Sequence, residues 1–114
     1  MAFVTAETPD GKVVVVEGPG RLDANNSDDF RKLINELADH GKSCLVIDMK
    51  ETEFMDSSGL GALVSRIAAT RAKQGDVRLA SPSPFILNLL NITHLDKVFK
   101  CFDDVKSAIK SFES

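Results

Sequence analysis

Phe54-Met55-Asp56-Ser57-Ser58-Gly59-Leu60-Gly61 leads the chain from a short extended piece into a helix. Phe54-Met55 suits a strand end, and Ser57-Ser58-Gly59 opens the helix. Leu60, Leu63, Val64, Ile67 and Ala68 then recur at helical spacing as its inward stripe, and Gly75 ends it. The first N–H groups of a helix have no partner inside it, and the helix dipole favours negative charge there. Two hydroxyls and one carboxylate stand at that point in the sequence. Gly59 and Gly61 have no side chain, so another backbone can approach closely, although each lowers helix propensity by roughly 1 kcal/mol. Spacing alone leaves two readings open. One is an ordinary helix start, capped by Ser57 or Ser58, with glycines packed on a sheet. The other is a site for an anion or a partner.

The segments on either side define the surrounding layers. Upstream, Cys44-Leu45-Val46-Ile47 is an unalternated apolar run ending at Asp48, the pattern of a central strand covered on both faces. Asn26-Ser27-Asp28-Asp29 reads as a helix start, with Ser27 capping and two aspartates in the first turn. Phe30, Leu33, Ile34, Leu37 and Ala38 form that helix's apolar stripe, and Gly41 stops it. Val13 to Val16 is a buried strand bounded by glycines, and a weaker strand covers Phe3 to Ala6. Thr8-Pro9-Asp10-Gly11 joins the two as a turn. Downstream, Val77 to Ala80 is a strand, and Ser83-Pro84 caps and opens a helix through Phe85, Ile86, Leu89 and Leu90. Val98 to Cys101 reads as a last short strand. Asp103-Asp104 starts a terminal helix with Val105, Ala108, Ile109 and Phe112 inward. Strands alternating with helices predict an α/β layer fold. Its sheet is mixed and largely parallel, with about four to five strands and about four helices, in a single domain spanning residues 1–114.

Composition narrows the function. The chain has 114 residues, 43% hydrophobic and 27% charged, enough for an ordinary core. Fourteen Lys and Arg against 17 Asp and Glu leave a net charge of −3. No basic run compensates, which argues against direct nucleic-acid binding. No apolar run has the length of a membrane span, and Met1 to Glu7 lacks the basic head and apolar stretch of a signal peptide. A cytoplasmic protein is therefore expected, with Cys44 and Cys101 reduced and packed inside. His40 and His94 are the only histidines, and no Cys, His or carboxylate cluster has metal-ligand spacing. Nothing in the sequence pairs a Ser or Cys with a His for nucleophilic catalysis. Gly18-Pro19-Gly20 begins like a dinucleotide motif, but Asp23 stands where the third glycine belongs. Asp48 ends a strand as in an aspartyl-phosphate receiver, yet the first strand ends Val16-Glu17-Gly18, without the acidic pair a receiver needs.

Met55-Asp56-Ser57-Ser58-Gly59-Leu60-Gly61 resembles the signature of bacterial anti-sigma factor antagonists, the STAS-domain family. Gly20-Arg21-Leu22-Asp23 is similar to that family's Gly-x-Leu-Asp turn after an early strand. Leu45 to Met49 is similar to the strand before the signature, and Val98 to Phe102 to its C-terminal end. The resemblance runs in order through nearly the whole chain. It implies a non-enzymatic STAS-like regulator without a cofactor. Ser57 would be the phosphoacceptor of an ATP-dependent serine kinase that is also the anti-sigma factor. Asp56 would be the acidic neighbour in the kinase contact, with Asp23 close to the same corner. Ser58 would cap the helix, and Gly59, Leu60 and Gly61 would give the partner access. The unphosphorylated form would bind the kinase and free a sigma factor, and a PP2C-type serine phosphatase would reset the phosphorylated form. The same fold also serves as a scaffold subunit of stress-sensing or membrane-transport regulatory complexes, the second use the resemblance implies.

Overall fold

In the computed structural model, which describes residues 3–113, the chain begins with strand β1 (Thr5–Glu7), β2 (Val14–Glu17), a short β3 (Arg21–Leu22) and helix α1 (Ser27–Asp39). It continues through β4 (Cys44–Asp48), a short β5 (Phe54–Met55), α2 (Ser57–Arg71), β6 (Asp76–Ala80), α3 (Pro84–Ile92), β7 (Cys101–Phe102) and α4 (Val105–Lys110). Five strands form the main sheet in the order β1-β2-β4-β6-β7, and β3 and β5 form a separate pair. Within the main sheet only β1 is antiparallel to its neighbour. The expected mixed, largely parallel sheet with four helices is what the chain forms.

Strand β4 lies centrally, with Leu45 opposite both Val14 and Val77, and Ile47 opposite both Val16 and Leu79. Side chains of a strand alternate between faces. Leu45 and Ile47 therefore join Phe30, Ile34, Leu63, Ile67, Ile86 and Leu90 in the larger core beneath α1, α2 and α3. Val46 points the other way and packs with Val13, Ala80 and Ala108 under α4. Coverage on both faces is the physical reason the Cys44–Ile47 run does not alternate. Asp76 is buried at the start of β6, where it accepts from Arg71 Nε at 2.9 Å, Arg78 Nε at 3.1 Å and the Val77 N–H at 3.0 Å. Arg78 donates in turn to the Ser111 carbonyl at 2.7 Å and lies 4.0 Å over the Phe112 ring. The end of the chain is thereby tied to the sheet.

Several boundaries differ from the sequence reading, each for a local reason. The first strand covers Thr5–Glu7 instead of starting at Phe3, because Phe3 turns inward to meet Phe30 edge-on at 5.7 Å. The last strand is Cys101–Phe102, not Val98 to Cys101. The Val98 and Phe99 N–H groups are satisfied locally by the Leu95 carbonyl at 3.0 and 3.1 Å. Helix α2 ends at Arg71, and the left-handed residue after it is Gln74, with φ of 66°. Gly75 is needed for another reason: a Cβ there would fall 1.9 Å from the Ser43 carbonyl oxygen. Ala68 belongs to the exposed side of α2, not to its inward stripe.

Candidate functional site

The β3–β5 pair has two rungs, Arg21 opposite Phe54 and Leu22 opposite Met55. Leu22 and Met55 are buried, while Arg21 is exposed and Phe54 half-buried. Two further backbone bonds lock the pair: Glu53 N–H to the Gly20 carbonyl at 2.9 Å, and Asp56 N–H to the Leu22 carbonyl at 3.3 Å. The first turn of α2 lies directly on β3. A Cβ at position 59 would come within 2.1 Å of the Leu22 carbonyl oxygen, so Gly59 is required by the close approach of another backbone.

Asp56 is the N-cap of α2, in extended conformation with φ −97° and ψ −174°. Its Oδ1 accepts the Gly59 N–H at 2.9 Å, and its Oδ2 accepts the Ala24 N–H at 3.2 Å. One carboxylate thus fixes the helix start and ties it to the loop after β3. The Gly59 N–H is the main cause holding the Asp56 carboxyl below the usual carboxylate range. The Ala24 and Ser58 N–H groups and the Arg21 charge act in the same direction, against a desolvation that raises it.

The serines therefore do not cap. Ser57 and Ser58 are the first two helical residues, where their own N–H groups are among those an N-cap would satisfy. Ser57 is exposed, and its hydroxyl is engaged by no hydrogen bond among the described residues. Ser58 is half-buried inside the first turn. The expectation that Ser58 holds the helix start is corrected by the Asp56 geometry. Asp56, two positions before Ser58, reaches the N3 amide and gains a second donor from Ala24.

Asp23 lies at the same corner. Its Oδ1 accepts the Asn25 N–H at 2.9 Å, and its Oδ2 is 3.6 Å from Arg21 Nε. Its carbonyl accepts from Asn26 and Ser27 N–H and so begins α1. Ser27 is a buried first helical residue, not the cap expected of it; Asn26 holds the cap position. The Asn26 side chain faces back, accepting the Asp23 N–H at 2.9 Å and donating to the Arg21 carbonyl at 2.8 Å.

The loop 23–26, Asp56, Ser57, Ser58 and Gly59 thus meet at one corner. Leu60 is half-buried and packs on the main core. Gly61 is half-buried too, but a Cβ there would meet only the Arg31 guanidinium, at an ordinary 3.7 Å. Gly59 is therefore demanded by the fold, and Gly61 is not. Sequence reading missed Asn26, whose buried side chain organises the loop, and Phe85. Phe85 stacks on Phe54 with ring centres 5.8 Å apart, and Arg21 covers Phe54 at 4.2 Å. The alternation Arg21-Leu22 and Phe54-Met55 was the available signal, but each segment is two residues long.

Among the described residues no cluster of three or more His, Cys, Asp or Glu could hold a metal ion. Cys44 and Cys101 are free and half-buried, and burial pushes both thiols up. No described helix is long and apolar enough to cross a membrane.

A mixed sheet with helices on both faces, and an aspartate-capped Asp-Ser-Ser-Gly helix start docked on a small β pair, define the class. The chain matches the STAS domain over residues 4–108 and belongs to that family. It is 31% identical over 103 residues to an anti-sigma F factor antagonist of Paenibacillus polymyxa, covering 89% of this chain and 87% of that one. A crystal structure from Thermotoga maritima, provisionally named an anti-sigma factor antagonist, shares the fold with a TM-score of 0.88 at 24% identity; the match spans 98% of this chain and 95% of that one. The Bacillus cell fate determinant SpoIIAA, solved in its phosphorylated form, superposes with a TM-score of 0.75 at 25% identity, over 96% and 98% of the two chains.

Proposed function

We propose that this chain, acting as one unit over residues 1–114, is a cytoplasmic, non-enzymatic partner-switching regulator controlled by phosphorylation of Ser57. Unphosphorylated, it binds an anti-sigma factor serine kinase and frees a sigma factor; a PP2C-type serine phosphatase reverses the modification. The observation that carries this reading is the division of labour between neighbours. Asp56 does the capping, and the Ser57 hydroxyl stays exposed and uncommitted. Phosphorylating a capping serine would disturb the helix it holds. Phosphorylating Ser57 leaves the cap intact. Support also comes from the names of the relatives above, and from the phosphorylated state in which one of them was solved.

A phosphate adds about −1.5 to −2 charge at pH 7. At the start of α2 it sits at the favourable end of the helix dipole, so the fold tolerates it. Inside a closed interface it meets the Asp56 carboxylate and loses its water. A coupling of only about 3 kcal/mol weakens binding on the order of 100-fold. The switch is then a loss of affinity without refolding.

The test is a pull-down from source-cell lysate with tagged Ser57→Ala and Ser57→Asp baits, read by mass spectrometry. The reading expects an ATPase-type serine kinase on the alanine bait and its absence from the aspartate bait. If both baits retain one large complex or a transporter, Ser57 is not the switch and the chain is a scaffold subunit.

A further inference from the structure

Period-two alternation puts Leu22 and Met55 on the inner side of the β3–β5 pair and Arg21 and Phe54 on the outer side. Three groups from three elements make one outer stack. The Arg21 guanidinium lies 4.2 Å from the centre of the Phe54 ring. That ring stacks on Phe85 of α3 at 5.8 Å and 29°. Phe85 is 46% exposed, and the Arg21 side chain is 65% exposed, with Asp23 at 3.6 Å as its ion-pair partner. Phe54 stands three residues before Ser57 on the segment that feeds α2.

The charges around this corner are unequal. Asp23 and Asp56 line it, and Glu53 is exposed beside them. Helix α3 carries no charged residue, and the first turn of α2 carries no cation. On α1, the Arg31 guanidinium lies beside position 61, one turn past Ser57, and is held there by Asp28 at 2.9 Å. Arg21 pairs with Asp23, whose neighbour Ala24 donates its N–H to Asp56, the residue before Ser57; the Arg21 charge is the smallest of the causes lowering the Asp56 carboxyl. What holds Arg21 in place is weak: an exposed cation–π contact, and one carboxylate at a distance beyond a good hydrogen bond. A phosphoserine would offer about twice the charge of a carboxylate and oxygens spaced for two parallel N–H···O bonds.

We propose that Arg21 is the phosphate-binding residue of this corner: when Ser57 carries a phosphate, the Arg21 guanidinium leaves Phe54 and Asp23 and pairs with it. The phosphoprotein then presents a neutralised phosphate and an uncovered Phe54–Phe85 pair, where the unmodified protein presents a hydroxyl and a guanidinium-covered ring. Modification at the start of α2 is thereby read out on the surface of α3, with the backbone unchanged. The inference takes the position of the phosphate from the function proposed above, but its test does not depend on any partner.

Phosphoserine is incorporated genetically at position 57 of the full chain, and its phosphorus resonance is titrated with pH. Pairing with a cation favours the dianion and lowers the phosphate's second pKa. Arg21→Gln should raise the midpoint by about half a unit, the effect of one charge at about 5 Å in water. Lys106→Gln, at an exposed cation on α4 across the sheet, should leave it in place. Arg31→Gln, beside position 61 one turn along α2, should move it less than Arg21→Gln. Arg21→Lys, which keeps the charge and loses the planar fork, should fall between wild type and Arg21→Gln. The ring resonances of Phe54 and Phe85 should move on phosphorylation of the wild type and stay still in phosphorylated Arg21→Gln. An identical midpoint in wild type, Arg21→Gln and Arg21→Lys overturns the inference, as do ring resonances indifferent to the phosphate. Circular dichroism melts establish that each variant is folded, and the lysine variant carries the test if the glutamine variant is not. A shifted midpoint together with a failed kinase pull-down leaves Arg21 as the phosphate ligand and removes the partner assignment alone.

Discussion

Alanine at Gly59 and alanine at Gly61 should move stability in opposite directions, although the two positions lie two residues apart on one helix. At position 59 the new Cβ would stand 2.1 Å from the Leu22 carbonyl oxygen and 2.8 Å from its carbon. Carbon–oxygen contacts settle near about 3.3 Å, so helix and strand must separate by about 1 Å. That separation strains the Asp56 N–H bond to the same Leu22 oxygen, already 3.3 Å long, and the Ala24 bond to Asp56. Overpacking costs about 1–3 kcal/mol, and a weakened buried hydrogen bond about 1 more. Alanine's better helix propensity offsets about 1 kcal/mol. The clash is with backbone rather than a movable side chain, so Gly59→Ala should lose about 2–3 kcal/mol, at the upper end of that range. At position 61 the nearest atom is the mobile end of Arg31, 3.7 Å away, so the propensity gain of about 0.5–1 kcal/mol should survive. At about 4 °C per kcal/mol, Tm should fall by about 10 °C for Gly59→Ala and rise by about 3 °C for Gly61→Ala. Thermal melts followed by far-ultraviolet circular dichroism measure both. The reasoning is refuted if Gly59→Ala melts at or above wild type, or if the two variants shift together.

Other expectations follow from the same geometry. The Asp56 carboxyl lies below its ordinary value of 3.8, chiefly through the Gly59 N–H. Its stabilisation is therefore present above that value and lost as pH falls through the lowered folded value. Asp56→Asn should melt lower than wild type at neutral pH and lose less on acidification below about pH 4; parallel acid slopes would contradict the cap. Asp76→Ala leaves Arg78 without its buried partner and loosens the link to the chain end. Urea unfolding should show a loss of about 3 kcal/mol, and a loss under about 1 kcal/mol would mean the pair is structurally idle. Asp23→Asn keeps an acceptor for the Asn25 N–H and removes only the charge. It should change stability by no more than about 0.5 kcal/mol while altering the rate of phosphate transfer to Ser57 several-fold. An unchanged rate, with an early-melting Asp23→Ala, would make Asp23 a turn residue only.

The long elements were legible because their periodicity is sustained. The apolar stripe from Phe30 to Ala38 and the unalternated run Cys44 to Ile47 each report a burial pattern over several residues. With strands alternating with helices, they suffice for a parallel α/β sheet. The Asp-Ser-Ser-Gly stretch likewise marked the helix start at which the candidate site is built.

What the sequence could not decide was which of three adjacent residues caps α2. Asp56, Ser57 and Ser58 are all capable caps. The choice is made by the Ala24 N–H, delivered from the loop after β3, which gives the Asp56 carboxylate a second donor and leaves Ser57 free. The β3–β5 pair is similarly hidden, because two-residue strands have no period to read and exist only through a partner about thirty positions away in the chain, as Leu22 opposite Met55 shows. Gly59 and Gly61 look alike in sequence, and only the Leu22 backbone makes one indispensable and leaves the other replaceable. Local pattern determined the elements and their order. The corner is decided by contacts between elements far apart in the chain, because hydrogen bonds and steric contacts act through space, where a one-dimensional pattern does not reach.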